Sequence, residues 1–485
     1  MDCGKLAGLA AALLLGTSGA AWADVAISNK PTTNMDCEAG VCTATAQKAV
    51  LNVGDLQNML ASGDVAVKTG TVAKDIDIDQ PLQWTSTSRL TLDAQRSVQI
   101  DKQVTVAGQG ALTVTTNDSG TPKKNDGEFV IVPERGSVQF WDPSSSLIID
   151  GHTYTLVGDI KTLASAIAAN PSGFYALAKP YDASVDGTYS SSPIETTFYG
   201  AFEGLGNAVS NLTVHPGRVD AAGLFTAIGG SVRDLGVVNA DVGGGQPGEI
   251  GILAGVSAGE ISRVRTTGVM KFFAAGKQSA GGLVGVNNGV IEDSFADVRL
   301  SAEQGAFSSG GGLAGYNGGF VSNSYVRGSA IYRRAYDVNV GGLVGENVGT
   351  IQNTYARNSL HDGKQNCCET SFGGLIGENY HQGRVTNSYA AGQIRENNAD
   401  TTRIGGLMGT DKSHTGKISN TYWDIDMGVS DPKRGAGNRK NDPGITGLTD
   451  TQLKSGLPDG FDQKIWCQSA NVNDGYPYLC ALPPP

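Results

Sequence analysis

Two acidic motifs contain the residue type that polysaccharide chemistry uses. Asp75, Asp77 and Asp79 alternate with isoleucine in the segment KDIDIDQ, and Asp424 and Asp426 flank an isoleucine in YWDIDM. Cleavage of a glycosidic chain needs two carboxylates roughly 5–10 Å apart, or carboxylates that hold Ca²⁺ beside a basic residue. Alternation of Asp with Ile is also typical of a strand with one buried face. We therefore expect a solvated strand face for the first motif and a structural cap for the second.

Motifs for other catalytic chemistry are not evident. None of the 5 histidines begins the H-E-x-x-H motif of a zinc protease. Cys and His residues nowhere show the spacing of a four-ligand zinc site. We expect neither a nucleophilic serine nor a catalytic thiol at Cys367 or Cys368. The sequence therefore predicts a protein that is not an enzyme, with no catalytic, cofactor-binding or metal-binding residues.

The first 23 residues have the features of a secretory signal peptide. Lys5 supplies a positive charge, Leu6 to Leu15 form an apolar run, and Ala21-Trp22-Ala23 is a cleavage motif before Asp24. The apolar run is short for a transmembrane helix, and no other stretch approaches about 18 apolar residues. We expect cleavage between Ala23 and Asp24 and export of a chain without a transmembrane segment. Its destination would be the cell surface, the extracellular space or the periplasm.

Cysteine usage agrees with an oxidising compartment. Of the 7 cysteines, Cys3 would leave with the signal peptide, and the remaining even number suits disulfide formation. Proximity in sequence favours the pairs Cys37–Cys42 and Cys467–Cys480. Cys367 and Cys368 would then form a vicinal pair or bond to other partners.

The charge balance argues against a protein that follows a phosphate backbone. The chain has 36 Lys and Arg against 47 Asp and Glu, which gives a net charge of −11. Nucleic-acid binding needs a basic face, so nucleic acid is not an expected partner. One local basic cluster lies in a stretch rich in Gly, Asn and Pro that is typical of a solvated loop. It consists of Lys433, Arg434, Arg439 and Lys440.

A leucine in a glycine-flanked box recurs along the second half of the chain. The leucines are Leu224, Leu253, Leu283, Leu313, Leu343, Leu375 and Leu407. Their spacings are 29, 30, 30, 30, 32 and 32 residues. Periods of this size indicate a solenoid or a propeller, in which each unit buries its apolar face against its neighbours.

Each central unit combines an asparagine turn with a strand that ends in an aromatic residue. The asparagines are Asn287, Asn317, Asn347 and Asn379, and the aromatic residues are Phe295, Tyr325, Tyr355, Tyr389 and Tyr422. The runs alternate at period two and are too short for helices. We expect equal positions to stack about 4.8 Å apart as ladders. The asparagines would then hydrogen-bond internally, and the aromatic rings would pack inside the coil or, alternatively, form a platform for sugars.

Helices and loops are expected at few places. The segments 159–169 and 53–60 have helical spacing of apolar residues and should pack beside or cap the strand-built coils. The segments 331–336 and 361–370 lie between boxes and vary in composition. We expect them to project as loops, which are the usual place for a ligand site on a rigid scaffold.

The repeat boxes resemble a known family. GGLVGVNNGVIEDSFA, GGLAGYNGGFVSNSYV, GGLVGENVGTIQNTYA and GGLIGENYHQGRVTNSYA are similar to GLUG repeats. These repeats occur in large exported bacterial proteins, including filamentous-haemagglutinin-like adhesins and some IgA-protease-type surface proteins. Residues 200–213 and 420–478 resemble the segments that precede and end GLUG arrays, and residues 45–150 more loosely resemble haemagglutinin passenger sequence. The resemblance implies a right-handed parallel β-helix at the cell surface or outside the cell.

The expected fold is all-β, a right-handed parallel β-helix (β-solenoid) with short capping helices and loop-rich ends. We expect six parts: a signal peptide (1–23), a Cys-containing segment (24–50), a strand-rich passenger-like segment (51–150), a helix-containing entry (151–220), the GLUG-repeat β-helix (221–425) and a C-terminal cap (426–485).

The expected function is binding. The resemblance implies an exported surface or extracellular protein, adhesin-like, with a glycan or a protein as its ligand. The alternatives are a carbohydrate-active β-helix enzyme, either a polysaccharide lyase or a hydrolase, and a structural component of an envelope or matrix. A carboxylate cluster on one face would favour the enzyme, because a binding protein does not need one.

Overall fold

The chain folds into a β-solenoid, in agreement with the predicted all-β class. The computed structural model describes residues 25–118, 127–244, 248–273, 278–362, 370–395 and 402–485. Successive coils pair through parallel strands, and equal positions of the repeat face each other, as in Phe295 with Tyr325 and Tyr325 with Tyr355. The signal-peptide segment with its cleavage site at Ala23–Asp24 lies outside the described residues, as do Cys367 and Cys368.

The first part of the solenoid, which we call the N-terminal block, has three rows of parallel strands. The first row is Phe129–Ile131, Val98–Ile100, Ile76–Ile78, Val25–Ser28 and Ala49–Asn52, the second is Ser137–Phe140, Gln103–Val106 and Leu82–Trp84, and the third is Val41–Ala44, Val65–Lys68, Arg89–Asp93, Ala111–Thr115 and Ser146–Ile149. Met35–Glu38 and His152–Val157 flank the third row as antiparallel partners. The described part of the Cys-containing segment therefore contributes Val25–Ser28 to the first row and Val41–Ala44 to the third.

The second part, the repeat block, continues the same stack. One row is Phe225–Ile228, Ala254–Ser257, Val284–Asn287, Ala314–Asn317, Val344–Asn347, Ile376–Asn379 and Met408–Asp411. The next is Phe174–Leu177, Ala201–Glu203, Ser231–Arg233, Glu260–Ser262, Val290–Glu292, Phe320–Ser322, Thr350–Gln352, Arg384–Ala390, Ile418–Asp424 and Ile445–Leu448. The remaining strands are Tyr181–Asp182, Thr188–Tyr189, Ala208–Ser210, Thr213–Val214, Ala221–Ala222, Gly236–Gly243, Glu249–Gly251, Arg265–Phe273, Gln278–Gly281, Phe295–Gly311, Tyr325–Gly341, Tyr355–Ala356, Ser359–Asp362, Thr370–Gly373, Ile394–Arg395 and Thr402–Gly405, with Trp466–Cys467 and Tyr478–Leu479 as a terminal antiparallel pair.

Both predicted helices are present. Helix α1, Val53–Leu60, begins after Asn52, whose side-chain oxygen accepts hydrogen bonds from the backbone N–H groups of Gly54 and Asp55. Helix α2, Ile160–Ala169, begins after Asp159, whose carboxylate accepts from the Thr162 N–H at 2.7 Å. A third helix, α3 (Asp450–Lys454), was not predicted, and Ala183–Asp186 and Asn473–Gly475 form 3₁₀ turns. None of these described helices is long and apolar enough to span a membrane.

The repeated leucines form the central column of the core. Leu253, Leu283 and Leu313 are fully buried, and each backbone N–H donates to the carbonyl of the leucine one coil further on at 2.9 Å. Glycines must flank this column because the coils approach closely. A β-carbon at Gly282, for example, would lie 2.1 Å from the carbonyl oxygen of Gly312. The glycine-flanked box is therefore a packing requirement of the stack.

The asparagine ladder is confirmed. The side-chain amides of Asn287, Asn317 and Asn347 each donate at 2.8 Å to the side-chain oxygen of the next asparagine, and all are fully buried. Asn379 ends the series by donating to Asp411 at 3.1 Å. Each amide in the series hydrogen-bonds to its neighbour. The column is therefore buried without an unpaired asparagine side chain.

A second asparagine column forms one corner of the coils. Its members adopt positive φ angles, for example 45° at Asn323 and 51° at Asn353, a conformation that asparagine tolerates better than most residues. The column also contains Asn387 and Asn420, and adjacent amides are 3.1–3.4 Å apart. These asparagines thus stabilise the corner in two ways. They tolerate the positive φ of the turn, and their side chains hydrogen-bond to one another.

The expectation of a projecting loop at 331–336 was wrong. Residues 325–341 form one strand of 17 residues that pairs with another 17-residue strand, 295–311. Val326, Ala330 and Val338 on this strand are buried. Pairing with the preceding strand provides partners for most of the segment's backbone groups, whereas a projecting loop would need other partners. Most of the second expected loop, 361–370, lies outside the described residues.

The asparagine ladder ends at a pair of carboxylates. Arg439 lies 3.3 Å from Asp442 and 3.8 Å from Asp411, and both carboxylate side chains are almost inaccessible. Burial and the adjacent Asp411 raise the pKa of Asp442 to about 7. The folded protein therefore keeps a proton on this pair at pH values where the unfolded chain has lost it.

Replacing Asn287 should destabilise the solenoid far more than replacing its neighbour Asn288. Asn287→Ala leaves buried polar groups without a partner, and we expect a loss of about 1–3 kcal/mol in the free energy of unfolding. Asn288 is exposed, so Asn288→Ala should change it by about 0.5 kcal/mol or less. Urea denaturation of both variants measures this, and equal effects would contradict a stabilising role of the ladder.

Because of Asp442, we expect the free energy of unfolding to fall as the pH rises. Because its pKa is higher in the folded state, the folded protein binds more protons between about pH 4 and 7, and stability falls as the pH rises through this range. We expect Asp442→Asn to reduce the loss of stability between pH 5 and 8 by about 1–3 kcal/mol. Urea denaturation at both pH values measures it, with the exposed Asp459→Asn as the control. An unchanged loss would contradict the prediction.

Candidate functional site

The first acidic motif lies on the outer side of the N-terminal block, with Ile76 and Ile78 in the core. The expectation of a solvated face was wrong, because Asp75 is 5% exposed and Asp77 is 9% exposed. The Asp75 carboxylate accepts hydrogen bonds from Arg96 Nε at 2.8 Å and from the Ser97 N–H at 3.0 Å. Asp75, the first carboxylate of the motif, therefore forms an ion pair with Arg96.

The other two carboxylates meet a third from the next coil. Asp77, Asp79 and Asp101 offer oxygens that lie within 4.8 Å of one another. Burial and the charge of Asp101 raise the pKa of Asp79, while the nearby Lys30 and Arg135 lower it. Three carboxylates beside basic groups are a donor set that could hold a hard cation such as Ca²⁺. Asp101 was not predicted from the sequence; it follows Ile100, the strand partner of Ile78.

The second acidic motif has structural partners. Asp424 accepts a hydrogen bond from the Tyr476 hydroxyl at 2.5 Å, and Asp426 accepts one from the Asp450 N–H at 2.9 Å. The same tyrosine hydroxyl also bonds to the Asp450 carboxylate. These bonds support the expected structural role of the motif, since they tie C-terminal residues to the end of the strand Ile418–Asp424.

The aromatic ladder forms, but outside the coil. Phe295, Tyr325, Tyr355 and Tyr389 stack with ring centroids 4.7–5.2 Å apart and nearly parallel planes. The expectation that the rings pack inside the coil was wrong. Their chain neighbours enter the solenoid core, so the alternation of the strands turns the rings outward.

Residues 449–485, which we call the C-terminal clasp, cover the outward-facing rings. The apolar residues of the clasp that pack there are Leu453, Phe461, Trp466, Tyr476, Leu479 and Leu482. Tyr389 donates to the carbonyl of Pro477 at 2.6 Å, and Arg357 donates to the carbonyl of Asn473 at 2.9 Å. The structure contains the disulfide Cys467–Cys480 within the clasp, and Cys37–Cys42 in the first coil. The clasp leaves the ladder no face on which a sugar could stack.

One pattern escaped the sequence analysis. Residues 255–259, GVSAG, match the G-x-S-x-G motif of serine hydrolases. In the structure Ser257 occupies the strand position that Asn287 holds one coil later. Its side chain is fully buried and, among the described residues, its hydroxyl has no hydrogen-bond partner. A nucleophile must be accessible and bonded to a base, so this serine does not fit the role.

An open groove of about 560 Å³ crosses four coils of the repeat block. It is lined by Ser184, Gly187, Thr188, Asn211, Thr213, Asn239, Ala240, Asp241, Gly268 and Val269. A second cavity, beside Arg263 and Leu482, has room for at most about one water molecule at about 10 Å³. The groove was not predicted from the sequence, because its residues lie where the repeat is least regular.

Comparisons with known proteins identify no family. No family model matches the chain. Over 197 residues, 39% of its length, the chain is 30% identical to Halomucin from Haloquadratum walsbyi, and it spans only 2% of that protein. A candidate immunoglobulin A1 protease from Bacteroides ovatus has a solved structure with a TM-score of 0.43 and 19% sequence identity. That match covers 67% of this chain and 92% of the other.

Removing one hydroxyl should loosen the clasp. Tyr476→Phe leaves the buried Asp424 with the Asp426 N–H but without the tyrosine donor to its second oxygen, and we expect a loss of about 1–3 kcal/mol in stability of the clasp. Hydrogen exchange of residues 449–485 measures it, and the exchange should become faster. Tyr478→Phe, two residues further on, is the matched control and should leave exchange unchanged. Equal exchange in both variants would contradict the importance of this bond.

Proposed function

We propose that the protein is an exported, adhesin-like binding protein of the cell surface or the extracellular space. The observation that carries the proposal is the open groove on a solenoid whose coils are cross-linked by buried hydrogen bonds. A surface of this kind is already rigid before a ligand arrives, so little conformational entropy is lost on binding. Function then depends on the residues that line the groove, since the fold alone does not specify it.

Export is supported by the cysteines. The two disulfides, Cys37–Cys42 and Cys467–Cys480, are typical of proteins that reside in an oxidising compartment. The signal-peptide features of residues 1–23 point the same way.

A second candidate function is cleavage of a polysaccharide. The cluster of Asp77, Asp79 and Asp101 beside Arg135 favours it, since carboxylates next to basic groups are what such chemistry requires. The cluster lies in the N-terminal block, whereas the groove lies in the repeat block. The two functions can therefore be separated by substitution.

Binding without cleavage is the expected result when residues 24–485 are applied to arrays of glycans and of extracellular proteins. The ligand should bind saturably, with and without Ca²⁺, and incubated polysaccharides should keep their length in size-exclusion chromatography. Asp79→Asn with Asp101→Asn should leave binding unchanged. Shortened sugars that disappear in this double variant would instead establish the enzyme, and absence of any ligand on both arrays would contradict the proposed function.

A further inference from the structure

We propose that the groove binds a neutral oligosaccharide whose chain runs parallel to the solenoid axis. This inference rests on the proposed binding function and names the ligand class and the residues that recognise it. The groove volume of about 560 Å³ falls within the range of small-molecule sites, roughly 300–1,000 Å³. Its lining residues come from four consecutive coils, so a ligand that follows it contacts equivalent positions one after another.

The strand register sets the direction of the groove. Thr188 pairs with Thr213, Thr213 with Asp241, and Asp241 with Val269. Neighbouring strands are about 4.8 Å apart, so this wall extends about 14 Å from the first coil to the fourth. A linear sugar chain presents hydroxyl groups at regular intervals, which a row of side chains from successive coils can match.

The hydrogen-bonding groups of the walls suit sugar hydroxyls. Thr188 is exposed and Thr213 is half-buried, and within the described part of the chain their side-chain hydroxyls form no hydrogen bond with protein, whereas the exposed Ser184 hydroxyl hydrogen-bonds to the Asp182 carboxylate. A hydroxyl both donates and accepts, as a sugar hydroxyl does. The hydroxyls of Thr188 and Thr213 are therefore available to a ligand.

Two amides that line the groove are held in fixed positions. Asn239 donates to the Asn211 side-chain oxygen at 2.5 Å, and Asn211 donates to Asp182 at 2.9 Å. The backbone N–H of Asn239 donates to the Thr267 hydroxyl at 2.9 Å. The chain of bonds orients both amides, so the side-chain oxygen of the exposed Asn239 remains free to accept a bond from a ligand.

Small residues keep the floor open. The strand Gly236–Gly243 has a bulge between Val237 and Ala240, and Gly268 faces Ala240 with a φ of 137°. A β-carbon at Gly268 would lie 2.1 Å from the Ala240 carbonyl oxygen, and nothing lies within 4 Å of such an atom at Gly187. The bulge and the glycines therefore create a depression in an otherwise regular surface.

The charges of the groove favour a neutral ligand. Its ten lining residues include neither Lys nor Arg, so an acidic sugar would meet no cation there. The one carboxylate among the lining residues, Asp241, lies 3.4 Å from the imidazole of His215. The lining also contains no aromatic ring, and binding must depend on hydrogen bonds to hydroxyl groups.

The test removes polar groups without filling the groove. Thr213→Val with Asn239→Gly deletes a hydroxyl and an amide, and glycine accepts the positive φ of Asn239. The matched control, Thr350→Val with Asn441→Gly, makes the same changes away from the groove, and Asn441 also has a positive φ. Calorimetry with cello-, malto-, manno- and xylohexaose, and with an acidic galacturonate oligomer, measures affinity. Circular dichroism verifies that each variant folds.

We expect wild type to bind at least one neutral hexasaccharide, the groove variant to lose at least tenfold in affinity, and the control to match wild type. Equal binding by the groove variant would overturn this inference and leave the proposed function intact. Binding of only the acidic oligomer would overturn it as well. Binding to the protein array without any sugar binding would overturn this inference and retain the proposed function. Absence of both sugar binding and protein binding would overturn the inference and the proposed function together.

Discussion

In-register pairing of successive coils places chemically equal residues above one another, and the rest of the structure depends on this constraint. A buried asparagine is tolerated because the asparagine of the next coil satisfies it, as Asn287 and Asn317 show at 2.8 Å. Close approach of the coils requires glycine beside most of the leucines, as at Gly282 beside Leu283. A single coil out of register would disrupt both the asparagine column and the leucine column. The register is therefore strongly specified.

The same constraint creates a problem on the outside of the stack. Strand alternation turns the aromatic residue of each unit outward, which produces a continuous apolar stripe from Phe295 to Tyr389. An exposed stripe of this size would favour aggregation. The C-terminal clasp covers it and is fixed by Tyr476, which bridges Asp424 and Asp450. The second acidic motif therefore serves stability.

Binding capacity is expected where the repeat departs from regularity. The regular coils present close-packed faces, whereas the bulge at Val237 and Ala240 interrupts the pairing and opens the groove. The acidic cluster likewise lies in the N-terminal block, which lacks the leucine boxes. A repeat protein can in this way keep a stable scaffold in most coils and vary the surface in a few of them.

The sequence by itself determined the features that depend on local pattern: the period of the coils, the strand character of each unit, helices α1 and α2, and the asparagine ladder. These follow from periodicity and from capping residues such as Asn52 and Asp159. The tertiary structure alone decided which side of the coil the tyrosines face, that the clasp covers them, and that Asp101 joins Asp77 and Asp79. It also decided where the groove opens, because contacts between residues distant in the chain leave no signal in local spacing.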